Sequence, residues 1–427
     1  MKFRTRRRAL TLRTRVNDSL QFNPFVFSRL FFLWALIGIM GGVLAGGYWI
    51  VLEHLMEWLA MVPGLWVIPL MATAGLLAGL VIYKLGDPGE MDLIVNNIRF
   101  KGGQLDPRNN LSMILSSLVC IASGGSAGPE APLVQVVGST GTWLAQRFRL
   151  RGEDLRSLSI AGMAAAFTAL FGAPLGGSLF ALEILHHRHV VEYYQALIPA
   201  FVASCSSYII FVLITHTGLG PTWQFPLYTS PSLNDCFLAV LYALVGTAVG
   251  WLFIFIVRRC RGLFRSRRLP IYWRMALSGI LIGTIAYFVP LSRYFGHDQL
   301  AEVLRSTFSP QFLLLLMGAK LLAIALTVTS GWRGGFIIPL FFVGAVAGLL
   351  LHSLLPGHNL PLILISCMAA INACVTRTPI STTVLLGTLT GFHSIVPVMF
   401  ASLTGFFLSP KMPLINAQLG VHTDEEE

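Results

Sequence analysis

Apolar runs follow one another along the whole chain, separated by short polar connections. They span Phe31–Ala60, Leu65–Tyr83, Leu111–Ala122, Ile160–Leu185, Ala196–Ile214, Phe237–Val257, Met275–Leu291, Phe312–Val328, Phe336–Leu355, Leu360–Cys374 and Val396–Leu408. A straight bilayer crossing needs about 20 apolar residues. Several of these runs are shorter, and many are interrupted by glycine or proline. Short, broken apolar segments predict discontinuous helices that end inside a membrane rather than a plain bundle of spans.

Composition makes lipid the solvent. Of 427 residues, 55% are hydrophobic and 11% charged, against about 25% charged in a soluble domain. A soluble fold of this size needs more polar surface than that to cover its cores. The chain is therefore read as an all-α polytopic membrane protein. The six cysteines (Cys120, Cys205, Cys236, Cys260, Cys367, Cys374) stand singly, mostly within apolar runs. They read as small core residues, with no disulfide framework or metal site implied.

The net charge of +11 matters through its placement. Lys2, Arg4, Arg6, Arg7, Arg8, Arg13 and Arg15 form a basic N-terminal tail. The apolar run after it is too long for a signal peptide, and so hydrophobic a chain is not read as binding nucleic acid. Arg147, Arg149, Arg151 and Arg156 form a second cluster. Arg258, Arg259, Arg261, Arg265, Arg267, Arg268 and Arg274 form a third. The positive-inside rule puts all three in the cytoplasm, whereas Thr217–Asp235, rich in Gly, Pro, Thr and Ser, reads as an outside loop.

The first long span then starts inside and the span Phe237–Val257 starts outside, so two halves of opposite orientation are expected. The boundaries are a basic tail 1–28, a first inverted repeat 29–216, a linker 217–235, a second repeat 236–418 and an acidic tail 419–427. Gly172-Ala-Pro-Leu-Gly-Gly-Ser and Arg377-Thr-Pro-Ile-Ser-Thr-Thr are weakly alike, and each follows an Ala-rich helix.

The chemistry concentrates in Gly124-Gly-Ser-Ala-Gly-Pro-Glu-Ala-Pro-Leu-Val-Gln135. A glycine-rich entry into an apolar helix leaves free N–H groups at a positive dipole end, which favours an anion. Glu130 stands at that end, where its carboxylate can take the place of an anion or accept a proton; a carboxylate at membrane depth is a functional candidate by default. Ser330-Gly-Trp-Arg-Gly-Gly-Phe-Ile-Ile-Pro339 has the same form. Two such helix ends could cradle an anion with no full positive charge, weakly enough to release it.

These motifs resemble those of the ClC chloride channels and transporters. Gly128-Pro-Glu-Ala-Pro-Leu-Val-Gln is similar to that family's Gly-Arg-Glu-Gly-Pro-x-Val-Gln, with Pro129 and Pro132 within it. Gly334-Gly-Phe-Ile-Ile-Pro339 is similar to its Gly-x-Phe-x-Pro. Phe171-Gly-Ala-Pro-Leu-Gly-Gly-Ser-Leu-Phe-Ala-Leu-Glu and Thr376-Arg-Thr-Pro-Ile-Ser have counterparts too, and the bacterial ClcB-type branch is the most similar. The resemblance implies a homodimer in a bacterial inner membrane with one anion pathway per subunit. It implies Glu130 as the gate, with backbone N–H groups of Glu130, Ala131, Phe336 and Ile337 facing chloride or a similar small anion. The transported ion and protons are the only non-protein partners besides lipid, and no cofactor is implied. Acid resistance through an electrical shunt is the physiology the family implies.

Three positions depart from the family pattern. Its pore serine falls near Gly89, its anion-contacting tyrosine at Ile415 beside Asn416, and the antiporters' internal glutamate at Ile184, directly after Glu183. Ile184 points to a channel, with a chloride/proton antiporter using another inner route as the alternative. Glu183 is read as structural. His186, His187 and His189 before Glu192 are read as a polar membrane-edge patch rather than a metal site. Arg333 and Arg377 are read as paired or interfacial rather than as anion attractors, and Asp87, Glu90 and Asp92 as a solvated loop end. Thr423-Asp-Glu-Glu-Glu427 soon after the last span leaves no expectation of a regulatory domain. No P-loop or nucleophile elbow is present, and Ser126 and Ser139 have no base partner in the sequence, so an enzyme is not expected.

Overall fold

The computed structural model describes residues 29–185, 190–220, 225–226, 228, 232–264, 269–415 and 418, with backbone alone for 190–194. The basic tail, His186, His187, His189, the Glu192 side chain, Arg265, Arg267, Arg268, Asn416 and the acidic tail lie outside the described residues.

Within them the chain forms sixteen α-helices, since a helix satisfies its own backbone without water. The first eight are α1 (Arg29–Ala60), α2 (Val67–Leu85), α3 (Met91–Phe100), α4 (Asn110–Ala122), α5 (Glu130–Arg147), α6 (Glu153–Phe171), α7 (Pro174–Glu183) and α8 (Val190–Thr215). The second eight are α9 (Leu233–Phe264), α10 (Ile271–Phe288), α11 (His297–Arg305), α12 (Pro310–Ser330), α13 (Ile337–Leu354), α14 (Leu360–Thr376), α15 (Pro379–Leu389) and α16 (Ile395–Phe407).

The second set repeats the first. α1 and α9 each have 32 residues, α5 and α13 each 18, and the short α7 and α15 have 10 and 11. Packing repeats as well: α1 lies on α6 and α8 as α9 lies on α14 and α16, and α5 lies on α6 as α13 lies on α14. Two helices, α2 and α7, pack against their own counterparts, α10 and α15.

The α2–α10 contact shows how the halves are oriented. A Cβ on Gly75 would lie 2.3 Å from the Met275 carbonyl oxygen, one on Gly79 2.4 Å from Tyr272 Cα, and one on Gly279 2.3 Å from the Met71 carbonyl oxygen. The register runs backwards, so the C-terminus of α2 meets the N-terminus of α10. α1 precedes α2 by a short connection and α9 precedes α10, so the start of α1 and the end of α9 share one side. The guanidinium of Arg29, at the start of α1, lies 5.2 Å from the Phe148 ring centroid. That brings Arg147–Arg156 to the same side. The Arg147–Arg156 cluster and the described part of the Arg258–Arg274 cluster thus lie on the side where α1 starts, and the first spans of the two halves begin on opposite sides.

Small residues let α2 and α10 touch backbone to backbone, as membrane helices require when lipid supplies no hydrophobic drive. Gly75→Leu forces a side chain into the Met275 carbonyl. The expected cost is about 1–3 kcal/mol, the usual price of overpacking, read as a lower thermal unfolding temperature in detergent than that of Gly47→Leu, where nothing lies within 4 Å.

The run Ile160–Leu185 is not one element. Gly172, in the left-handed region at φ +63°, ends α6, and Pro174 starts α7. Arg377 (φ +59°) and Pro379 make the same break between α14 and α15. Helices α3 and α11 fall outside the apolar runs because both carry charged residues.

Candidate functional site

α5 and α13 start face to face. The Gly128 N–H donates to the Gly335 carbonyl at 2.8 Å and the Gly335 N–H returns a bond to the Gly128 carbonyl at 2.6 Å, an antiparallel bridge between equivalent positions of the two halves. Each helix has proline at its third residue, Pro132 and Pro339. The first-turn N–H groups have no intrahelical acceptor, so proline there costs no helix bond. It leaves the N–H groups of residues 130–131 and 337–338 as the free donors of the two ends. Pro129, just before α5, is placed likewise.

Glu130 is fully buried. Its Oε1 accepts a hydrogen bond from the Ile338 N–H at 2.5 Å, while Oε2 has no partner. The carboxylate therefore occupies the N-terminus of α13. Only glycine permits this: a Cβ on Gly128 would lie 2.1 Å, and one on Gly335 2.5 Å, from Oε2. The donor is Ile338, one residue beyond the predicted Phe336 and Ile337. The sequence signal for it was Pro339, which makes residue 338 the last free N–H of that helix start.

Ala131, Gly334, Gly335, Phe336 and Ile337 line a cavity. Gly89, Ile184 and Ile415 line it too, so the three departing positions converge there. Arg261 and Glu90 also line it, which places it on the side of the basic clusters. Gly89 (φ +80°) is held by Arg333: Nη1 donates to the Gly89 carbonyl at 2.9 Å and Nη2 to Asp87 Oδ1 at 2.5 Å. Arg333 is thus paired, as read. The acidic run is not simply a solvated loop end, because Asp87 binds that arginine and Glu90 faces the cavity. Arg377 donates to the Pro410 and Lys411 carbonyls.

Glu183 makes the second bond of this kind across the halves. Its carboxylate accepts from the Ile380 N–H at 2.9 Å, the Ser381 N–H at 2.6 Å and the Ser381 hydroxyl at 2.6 Å, capping α15. The reading of Glu183 as structural fits this. Glu183→Ala is expected to destabilise by about 1.5–3 kcal/mol, the range for hydrogen bonds to a charged group, with Glu183→Gln losing less; thermal unfolding of the two variants checks it.

Sequence reasoning passed over Lys320, which is fully buried in α12. Its Nζ donates to the carbonyls of Ser292, Arg293 and Tyr294 at 3.1, 3.1 and 2.7 Å. One lysine in an apolar run gives no sign of its acceptors, which lie in a distant turn. Among the described residues, no three His, Cys, Asp or Glu side chains come together as a metal site.

The family model described as "Voltage gated chloride channel" matches residues 74–410. An uncharacterized protein of Methanocaldococcus jannaschii is 30% identical over 373 residues, covering 87% of this chain and 91% of its own. The voltage-gated ClC-type chloride channel ClcB of Shigella flexneri is 27% identical over 304 residues, 69% of this chain and 71% of its own. The crystal structure of a CLC-type fluoride/proton antiporter superposes with a TM-score of 0.81 at 22% identity, over 93% of this chain and 99% of that one, which shows a shared fold.

Proposed function

Because this chain belongs to the voltage-gated chloride channel (ClC) family, whose members move anions and are not enzymes, we propose that it is a passive, voltage- and pH-gated channel for chloride or a similar small anion. The observation that carries this reading is the Glu130 carboxylate bonded to the Ile338 N–H at the start of α13. An ionised carboxylate there competes with a permeating anion for the same donors. Protonation removes its charge and weakens its hold, so the side chain swings away and the anion takes its place. The N–H groups of Glu130, Ala131, Phe336 and Ile337, together with Ile338, then face the ion. The sign is definite: conduction rises as the outer solution is acidified.

Ile184 supports a channel over an exchanger. It is fully buried and lines the inner cavity, and an alkyl side chain carries no proton. The halves 29–216 and 236–418 act as inverted repeats, with the basic clusters and both tails cytoplasmic in a bacterial inner membrane. Exposed Ile198, Ile209, Leu213, Ile380 and Phe400 on α8, α15 and α16 form the apolar face on which a second copy packs, giving a homodimer. Voltage acts on each permeating charge with about 2.3 kcal/mol per 100 mV, so the pathway relieves the potential built by proton export under acid stress.

The test is the reversal potential of the purified protein in bilayers under a chloride gradient, with and without a pH gradient. Reversal at the chloride equilibrium potential, indifferent to pH, is expected. A reversal displaced by the pH gradient overturns the passive channel in favour of a chloride/proton exchanger.

A further inference from the structure

The turn after α10 lies on the side opposite the basic clusters, because α10 starts on the clustered side and crosses. There it touches the glycine-rich entry to α5. The Tyr294 N–H donates to the Gly124 carbonyl at 3.2 Å, and a Cβ on Gly124 would lie 3.0 Å from Arg293 Nε. The two segments that meet here carry three buried polar groups with no partner in the structure: Ser126 Oγ, Ser292 Oγ and Arg293 Nε. Ser126 is fully buried and Ser292 is 1% exposed. Unpartnered buried polar groups are rare and costly. All three of these can donate.

The charge here is also one-sided. Arg293 spends one Nη on the Tyr294 hydroxyl at 3.0 Å and, among the described residues, meets no carboxylate within ion-pair distance. Lys320 lies beneath the same turn and holds its three carbonyls. Asp298, the acidic residue nearest in sequence, is bonded to the His297 ring at 3.1 Å and is largely exposed.

We propose an outer anion-binding site at the contact of residues 124–126 with 292–294, in which Ser126, Ser292 and Arg293 donate to one small, partly dehydrated halide on its way to the Glu130 gate. The inference rests on the reading of the chain as an anion pathway and adds a waiting position in front of it. Three donors and a nearby full charge hold a halide that has shed part of its water, and the charge raises the local anion concentration at the mouth. Lys320 is a positioning residue: it fixes the turn and does not touch the ion.

The test uses the full-length protein in two ways. Crystals soaked in bromide are expected to show anomalous density within hydrogen-bond distance of Arg293 Nε, lost in Arg293→Gln. In proteoliposomes, Arg293→Gln is expected to raise the half-saturating outer chloride concentration about 10-fold, the low end of electrostatic steering. The inner half-saturation and the acid dependence set by Glu130 are expected to stay unchanged, and Arg293→Lys to recover part of the loss. Water in place of bromide at the three donors, or an unchanged outer half-saturation in Arg293→Gln, overturns the site. Absence of anion flux in the wild type, with bromide still bound, instead counts against the channel reading and leaves the site standing.

Discussion

Glu130→Ala is expected to conduct at neutral outer pH and to lose its acid dependence. The wild-type gate is held by a hydrogen bond to an ionised carboxylate, a class of interaction contributing about 1.5–3 kcal/mol. Removing it shifts the balance between blocked and open pathways roughly 10- to 100-fold, at about 1.4 kcal/mol for each factor of ten. Glu130→Gln keeps the shape and a neutral acceptor, so it falls between wild type and Ala in flux but is equally flat with pH. Chloride efflux from proteoliposomes across outer pH measures both. If flux stops in both variants while the protein stays folded, Glu130 is not the gate and the α13 helix start needs its carboxylate for another reason. Gly128→Ala and Gly335→Ala approach the same question from the other side, because each would press a methyl group into Oε2 and unseat the carboxylate without removing its charge.

Lys320→Met is expected to cause the largest loss of stability. Methionine keeps most of the volume, so cavity formation contributes little. What is lost is the single donor shared by three carbonyls and the cation 5.0 Å from the Phe342 ring centroid. A buried acceptor left unsatisfied costs about 1–3 kcal/mol, so the sum is about 3 kcal/mol or more. A drop in thermal unfolding temperature exceeding that of Glu183→Ala is the expected result, together with faster amide exchange in residues 289–297. Unchanged stability would mean that water replaces the ammonium at the three carbonyls, and that the turn is not pinned by Lys320.

Composition and residue pattern alone settle the class of the protein and mark two glycine-rich helix starts inside it. Lipid as solvent follows from composition. Broken helices follow from glycine and proline inside apolar runs, and the paired breaks at Gly172–Pro174 and Arg377–Pro379 were visible as alike motifs. The helix starts at Glu130 and Ile337 were legible because everything that makes a free helix end, the glycines before it and the proline in its first turn, is contiguous in the chain. What those ends meet depends on how the helices pack. Glu130 reaches Ile338 across 208 residues, Arg333 reaches Asp87 across 246, and Glu183 reaches α15 across 197. Lys320 finds its carbonyls in a turn that no apolar run announces. Each of these bonds joins elements brought together by packing, and no local preference of either partner encodes the other. The physical reason is that helix formation is satisfied within a dozen neighbouring residues, whereas a buried charge must find its partner wherever the fold has placed one.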